Sequence, residues 1–164
     1  MGELTIAPAD LQAALVMCKH LAGADHEIVP HSYRGKPGAI LAAIQHGAEL
    51  GLKPMQSLRH IAIIKGKATI YGDMMMALVR SHPECLDIEE TIEGKGTDKA
   101  VARCVVHRKG CKPSVTTFSV EDAIRADLWG NKGPWTSYPY RMLQMRARGF
   151  ALRDNFADAL AGFI

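Results

Sequence analysis

Nothing in this 164-residue chain approaches the ~18 consecutive apolar residues that a membrane helix needs. The first residues carry neither the basic start nor the small-residue cleavage site of a secretory leader. Cysteine is sparse, with four in all (Cys18, Cys85, Cys104, Cys111). Without a secretory mark these read as reduced thiols, which makes the cytoplasm the expected compartment. No Walker A loop is present: Gly94-Lys95-Gly96-Thr97 lacks the earlier glycine, and a strand–turn–strand setting is wrong for one. No Ser/His/Asp or Cys/His nucleophile pattern stands out, and there is no internal repeat or low-complexity segment. Nucleotide hydrolysis and covalent catalysis are therefore not expected.

A zinc site could be assembled on paper from Cys104, His107 and Cys111, with His82 and Cys85 nearby. Residues three apart on a strand point to opposite faces, however, so Cys104 reads as a core thiol and no metal ligands are assigned. The charged residues Glu84, Asp87, Glu89, Glu90 and Glu93 resemble a nuclease cluster only by density. They define the alternative function, a metal-dependent DNA-processing nuclease using acids in 84–93.

What is present is an ordinary globular composition, 48% hydrophobic and 23% charged, in a length that suits one domain. The net charge is only +3, but it is unevenly spread. Between Ala100 and Arg153 ten Lys/Arg stand against three Asp/Glu, leaving +7 on one third of the chain. That asymmetry points to a polyanion partner for this part of the molecule.

Apolar periodicity predicts helices over Thr5–Ala22, Pro37–Leu50 and Pro54–His60, the second and third opening on proline. IAIIKGKATIYG reads as a hairpin with Lys65-Gly66-Lys67 at its tip, followed by a helix from Asp73 to His82. Three runs then alternate as strands: 85–94, 100–109 and 114–118. In the middle run Val101, Arg103, Val105 and His107 face one side, and Ala102, Cys104, Val106 and Arg108 the other. Ser119 with Asp122 forms a capping-box signature for a short helix. Two more helices are expected near 139–153 and 155–162. Strands grouped together rather than alternating with helices give an α+β fold, an antiparallel meander plus a hairpin packed with helices.

The basic third culminates in Leu128–Asp154, LWGNKGPWTSYPYRMLQMRARGFALRD. Its loop holds Trp129, Lys132, Trp135 and Tyr138, and its helix carries Arg141, Arg146, Arg148 and Arg153. At ~100° per residue, Arg141 and Arg148 share one stripe with Met145 and Leu152, while Arg146 and Arg153 form another with Met142 and Gly149 between them. Arginine neutralises phosphate and exposed rings stack on bases irrespective of sequence, so this stretch is the candidate DNA site. One ridge is expected on phosphates, the other on a second strand or an acidic surface. Lys65, Lys67 and Tyr71 of the hairpin are further candidates, as is Arg103 of the central strand.

SYRGKPGAILAAIQHGAELGLKPMQSLRHIAIIKGKATIYGD resembles the N-terminal part of RecT-type phage single-strand annealing proteins. FSVEDAIRADLWGNKGPWTSYPYRMLQMRARGFALRDNFADALAG is similar to that family's most characteristic segment, so the likeness spans roughly 29–162. It implies ATP-independent binding of single-stranded DNA and annealing of complementary strands in phage recombination. The protein would act in a bacterial cytoplasm as a ring or helical filament, with DNA in a basic groove and a fold related to other annealing proteins. The implied partners are single-stranded DNA, the annealed duplex, a phage exonuclease and the host single-strand-binding protein, with no membrane. No cofactor is required, Mg²⁺ acting at most as a modulator of DNA binding. Residues 1–164 would form one annealing domain with the usual C-terminal partner-binding region largely absent. By the same likeness Lys65, Lys67 and Lys132 line the DNA groove, and Arg141, Gln144, Arg146, Arg148 and Arg153 belong to the family's Arg-rich helix.

Overall fold

The computed structural model describes residues 8–25, 28–64, 66–70 and 73–161. They fall into two compact units, one within residues 1–74 and the other within 75–162. The fold is α+β, with helices and two antiparallel sheets of two and three strands. None of the described helices is long and apolar enough to cross a membrane.

In the first unit α1 (Leu11–Ala22) starts where the Asp10 carboxylate accepts the Ala13 amide at 2.7 Å. An aspartate in extended conformation satisfies one of the orphan amides of a helix start, and this cap sets the boundary later than Thr5. Residues 5–7 of the expected helix lie outside the described residues. A 3-10 turn (His31–Tyr33) leads to α2 (Pro37–Glu49), and α3 (Pro54–His60) follows. Both α-helices have proline in the first turn, where its missing amide proton is no loss. A Cβ on Gly47 would lie 1.9 Å from Ser57 Oγ, so glycine is what allows α2 to press against α3. Cys18, Val29, Tyr33, Ile40, Ala43, Ile44, Leu58 and Ile61 form the core. The buried Tyr33 hydroxyl donates to the Ile61 carbonyl, tying the 3-10 turn to β1. Strands β1 (Ile61–Ile64) and β2 (Lys67–Ile70) pair from Ile61↔Ile70 to Ile64↔Lys67, the hairpin read from the sequence.

All but the first two residues of the helix α4 (Asp73–Ser81) belong to the second unit, and β3 (Cys85–Glu93), β4 (Val101–Arg108) and β5 (Ser114–Ser119) form its meander in that order. Registers such as Glu90↔Cys104 and Ala102↔Phe118 put these four side chains on one face. Thr91↔Arg103 and Arg103↔Thr117 lie on the other. Ala102, Cys104 and Val106 are buried, and the long helix α7 (Pro139–Asn155) covers their face. Between sheet and α7 come α5 (Val120–Arg125) and the one-turn α6 (Pro134–Ser137). The capping box holds: Asp122 N donates to Ser119 Oγ, and Asp122 Oδ2 accepts the Ser119 amide. The sequence reading missed α6, a single turn that Gly133 starts at a φ of 102°.

One expected helix is corrected. Residues 157–161 form turns, not part of a second closing helix over 155–162; Gly162 lies outside the described residues. The Asn155 amide nitrogen caps the Ala151 carbonyl at 2.7 Å and reaches Ser114 Oγ at 3.2 Å. Phe156 then leaves the helix axis to bury completely. That side-chain cap competes with continued helix, as asparagine does at helix ends.

Candidate nucleic-acid interface

The helix α7 is laid on the sheet by a stripe of small and aliphatic residues: Leu143, Ala147, Ala151 and Leu152, all essentially inaccessible. Alanines at four-residue spacing allow close approach to Ala102 and Cys104 below. Arg148 lies on this same stripe and is only 7% exposed. Its guanidinium makes a two-pronged bond to Glu90, Nε to Oε1 at 2.8 Å and Nη2 to Oε2 at 2.6 Å. Arg148 Nη1 also sits 3.5 Å from Met145 Sδ. A fork-on-carboxylate pair of this kind satisfies both partners and leaves nothing for a phosphate. Arg148, a candidate DNA residue of the Arg-rich helix in the sequence reading, instead points into the sheet and is held there by Glu90. Its partner Glu90 is the one inward-facing acid of β3, between Ile88 and Ile92. Next to this pair, burial first and the Glu90 carboxylate second push the Cys104 thiol up to about 11, against the opposing effect of Arg148.

The other arginine stripe is different. Arg146 is exposed, Arg153 is half-buried, and neither has an acidic partner among the described residues. Arg153 Nε is shielded from solvent yet meets no hydrogen-bond acceptor. Burial, and secondarily the charge of Arg146, hold the Arg153 guanidinium below the ordinary arginine range. Two cations side by side with one of them partly desolvated are an unfavourable arrangement for a protein alone, and a favourable one for an anion.

Nearer the start of α7, Arg141 is exposed and donates from Nη1 to Gln144 Oε1 at 2.9 Å, so these two predicted residues act as a pair. In the preceding loop Lys132 is exposed. Trp129 packs edge-on against Trp135 (6.5 Å) and Tyr140 (6.4 Å), and Trp135 is buried. These rings anchor the loop, an ordinary use of aromatics beside glycine and proline. Tyr138 is the exception, 69% exposed immediately before α7.

The remaining candidates are dispersed. Arg103 lies on the face of the sheet opposite α7, so it does not share a surface with the helix arginines. Lys67 is exposed on β2 in the other unit, while Lys65 and Tyr71 lie outside the described residues. The 84–93 acids are also split up. Glu90 is held by Arg148, Glu89 meets His107 at 2.7 Å, and Glu84 is held by Arg108 at 2.6 Å. Among the described residues no three His, Cys, Asp or Glu side chains are grouped to hold a metal ion.

A cluster that sequence reasoning did not find centres on Arg108. Its guanidinium bonds Glu84 and Asp158 (each at 2.6 Å), donates to the Asn155 carbonyl, and lies 4.8 Å above the Phe156 ring. Phe156 in turn meets His82 edge-on at 5.5 Å. Hydrogen bonds from Arg108 bring the Asp158 carboxyl down to about 2, and Arg108 itself is raised. The clasp fastens the chain after α7 to the end of β4. Its sequence signal was Arg108 continuing the otherwise apolar inward face of β4, Ala102, Cys104 and Val106.

Comparison with protein-family models, with curated proteins and with solved structures finds no match for this chain.

Proposed function

We propose that this protein binds single-stranded DNA through the phosphate backbone and anneals complementary strands without ATP, working as an oligomer as the RecT-type annealing proteins it resembles do. The observation that carries the reading is the pair Arg146 and Arg153, which among the described residues meets no acid, and whose shielded Arg153 Nε meets no acceptor there. Phosphate oxygens supply that acceptor and offset the repulsion between the guanidiniums. Exposed Lys132 and Arg141 add cationic contacts from the same helix and its leading loop, and Tyr138 offers an exposed ring for a base. Backbone contacts of this type leave base edges outward for pairing, which is what annealing requires.

The test mixes complementary oligonucleotides with the protein, without ATP, and follows duplex formation by fluorescence quenching. Annealing faster than spontaneous pairing, and binding that weakens steeply with salt, is the expected result. Pairing at the spontaneous rate would overturn the reading. Cleavage of labelled DNA with Mg²⁺ or Mn²⁺ would overturn it in favour of a nuclease.

A further inference from the structure

Gly149 stands in the interior of α7 with nothing in its backbone that requires glycine, since its φ is not positive and the helix runs through it. Glycine is the least favourable residue for a helix interior after proline, because it fixes the most backbone freedom and contributes no side chain. Close packing against the sheet does not explain it either. A Cβ built on Gly149 meets one atom within 4 Å outside its own local backbone, Arg153 Nη1 at 3.0 Å. Helical side chains lean toward the N-terminus over the preceding turn, so Arg153 reaches back across the position four residues earlier. Arg146 is three residues before Gly149 on that stripe. The vacancy left by the missing side chain is thus filled by the Arg153 guanidinium, on which the charge of Arg146 acts.

We infer that Gly149 is the positioning residue of the backbone site: by having no side chain it seats the Arg153 guanidinium beside Arg146, presetting a two-cation cradle for a strand's phosphodiester groups. This deepens the DNA-binding reading above and rests on it. A Cβ at 149 pushes Arg153 Nη1 aside by a few tenths of an ångström, and larger side chains displace the guanidinium further. The helix itself gains from the substitution, so stability and affinity move in opposite directions. A residue needed only for folding would move them together.

The experiment uses the whole chain with a fluorescent oligothymidine, measuring affinity across a salt series together with thermal unfolding. Gly149→Ala is expected to keep or raise the melting temperature while weakening binding several-fold and lowering the salt slope. Gly149→Leu should weaken binding more. In an Arg153→Ala background both substitutions should lose their effect. Two results overturn the inference: unchanged affinity in Gly149→Ala while Arg153→Ala weakens binding, or an undiminished effect of Gly149→Ala once Arg153 is gone. If Gly149→Leu does not fold, Gly149→Ala and its double mutant decide the matter alone. Unchanged affinity in both Arg146→Ala and Arg153→Ala would overturn the DNA reading of the pair instead, and the inference with it.

Discussion

Arg148 and Arg153 stand five positions apart on one helix under opposite conditions. The first is sealed against the sheet in a two-pronged bond to Glu90. The second lies beside another arginine, with a shielded Nε that no acceptor meets. Residue type and helix are shared, so the difference comes from helical phase alone. Arg148 falls in line with Ala147, Ala151 and Leu152 over the sheet, whereas Arg153 falls in line with Arg146 and Gly149. Positive charge in a basic segment therefore divides into charge that holds the fold and charge without an acidic partner among the described residues.

The sharpest way to break this comparison is to remove each side chain in turn. Arg148→Ala strands a buried carboxylate, and losing one partner of a buried pair typically costs about 3–5 kcal/mol. Urea unfolding should report a loss of that size, and the Cys104 thiol, buried in the native protein, should become open to alkylation. Replacing Glu90 and Arg148 together by apolar residues should recover much of the loss. Next in size, Arg146→Ala and Arg153→Ala should weaken oligonucleotide binding, each lowering the salt slope by about 0.7 for a lost single-strand phosphate contact. Their unfolding free energies should stay within about 0.5 kcal/mol of the parent's. If Arg148→Ala changed the salt slope and Arg153→Ala did not, the assignment of the two stripes would be reversed.

A third prediction concerns acid. Asp158 has a folded pKa of about 2, below its ordinary 3.8. A depressed carboxyl stabilises the fold above the ordinary value and loses that contribution as pH falls through the folded one. Unfolding followed between pH 4 and 2 should thus show a decline that Asp158→Asn makes shallower. The smallest effect is expected from Arg103→Ala, which should leave the salt slope unchanged because Arg103 faces away from α7. A slope change there as large as that of Arg153→Ala would place DNA on the open sheet face.

Much of the architecture was legible in the sequence because its signals are local. Alternation in 101–108 assigned the two faces of β4 correctly, and proline and the Ser119–Asp122 box marked helix starts. The end of α7 at Asn155, with turns rather than a further helix after it, was not legible, since a side chain reaching Ser114 across the sheet decides where α7 ends. At the site, the wheel correctly separated two arginine stripes, yet could not say which one was buried. Arg141 and Arg148 shared a stripe with Met145 and Leu152, which already marked it as partly apolar. The complementary hint was Glu90, an acid at an inward position between Ile88 and Ile92, which needed a cation from elsewhere in the fold. Pairing the two required knowing that α7 crosses β3, a long-range fact that no window of sequence contains.

The edge strand β3 turns Asp87, Glu89 and Glu93 outward and, among the described residues, pairs only with β4. An open edge invites a second copy to add its own strand, the first step of uncontrolled aggregation. Two β3 edges brought together would set these carboxylates against their own copies, and the repulsion would grow as salt is lowered. At low ionic strength this strand would therefore resist edge-to-edge pairing most strongly.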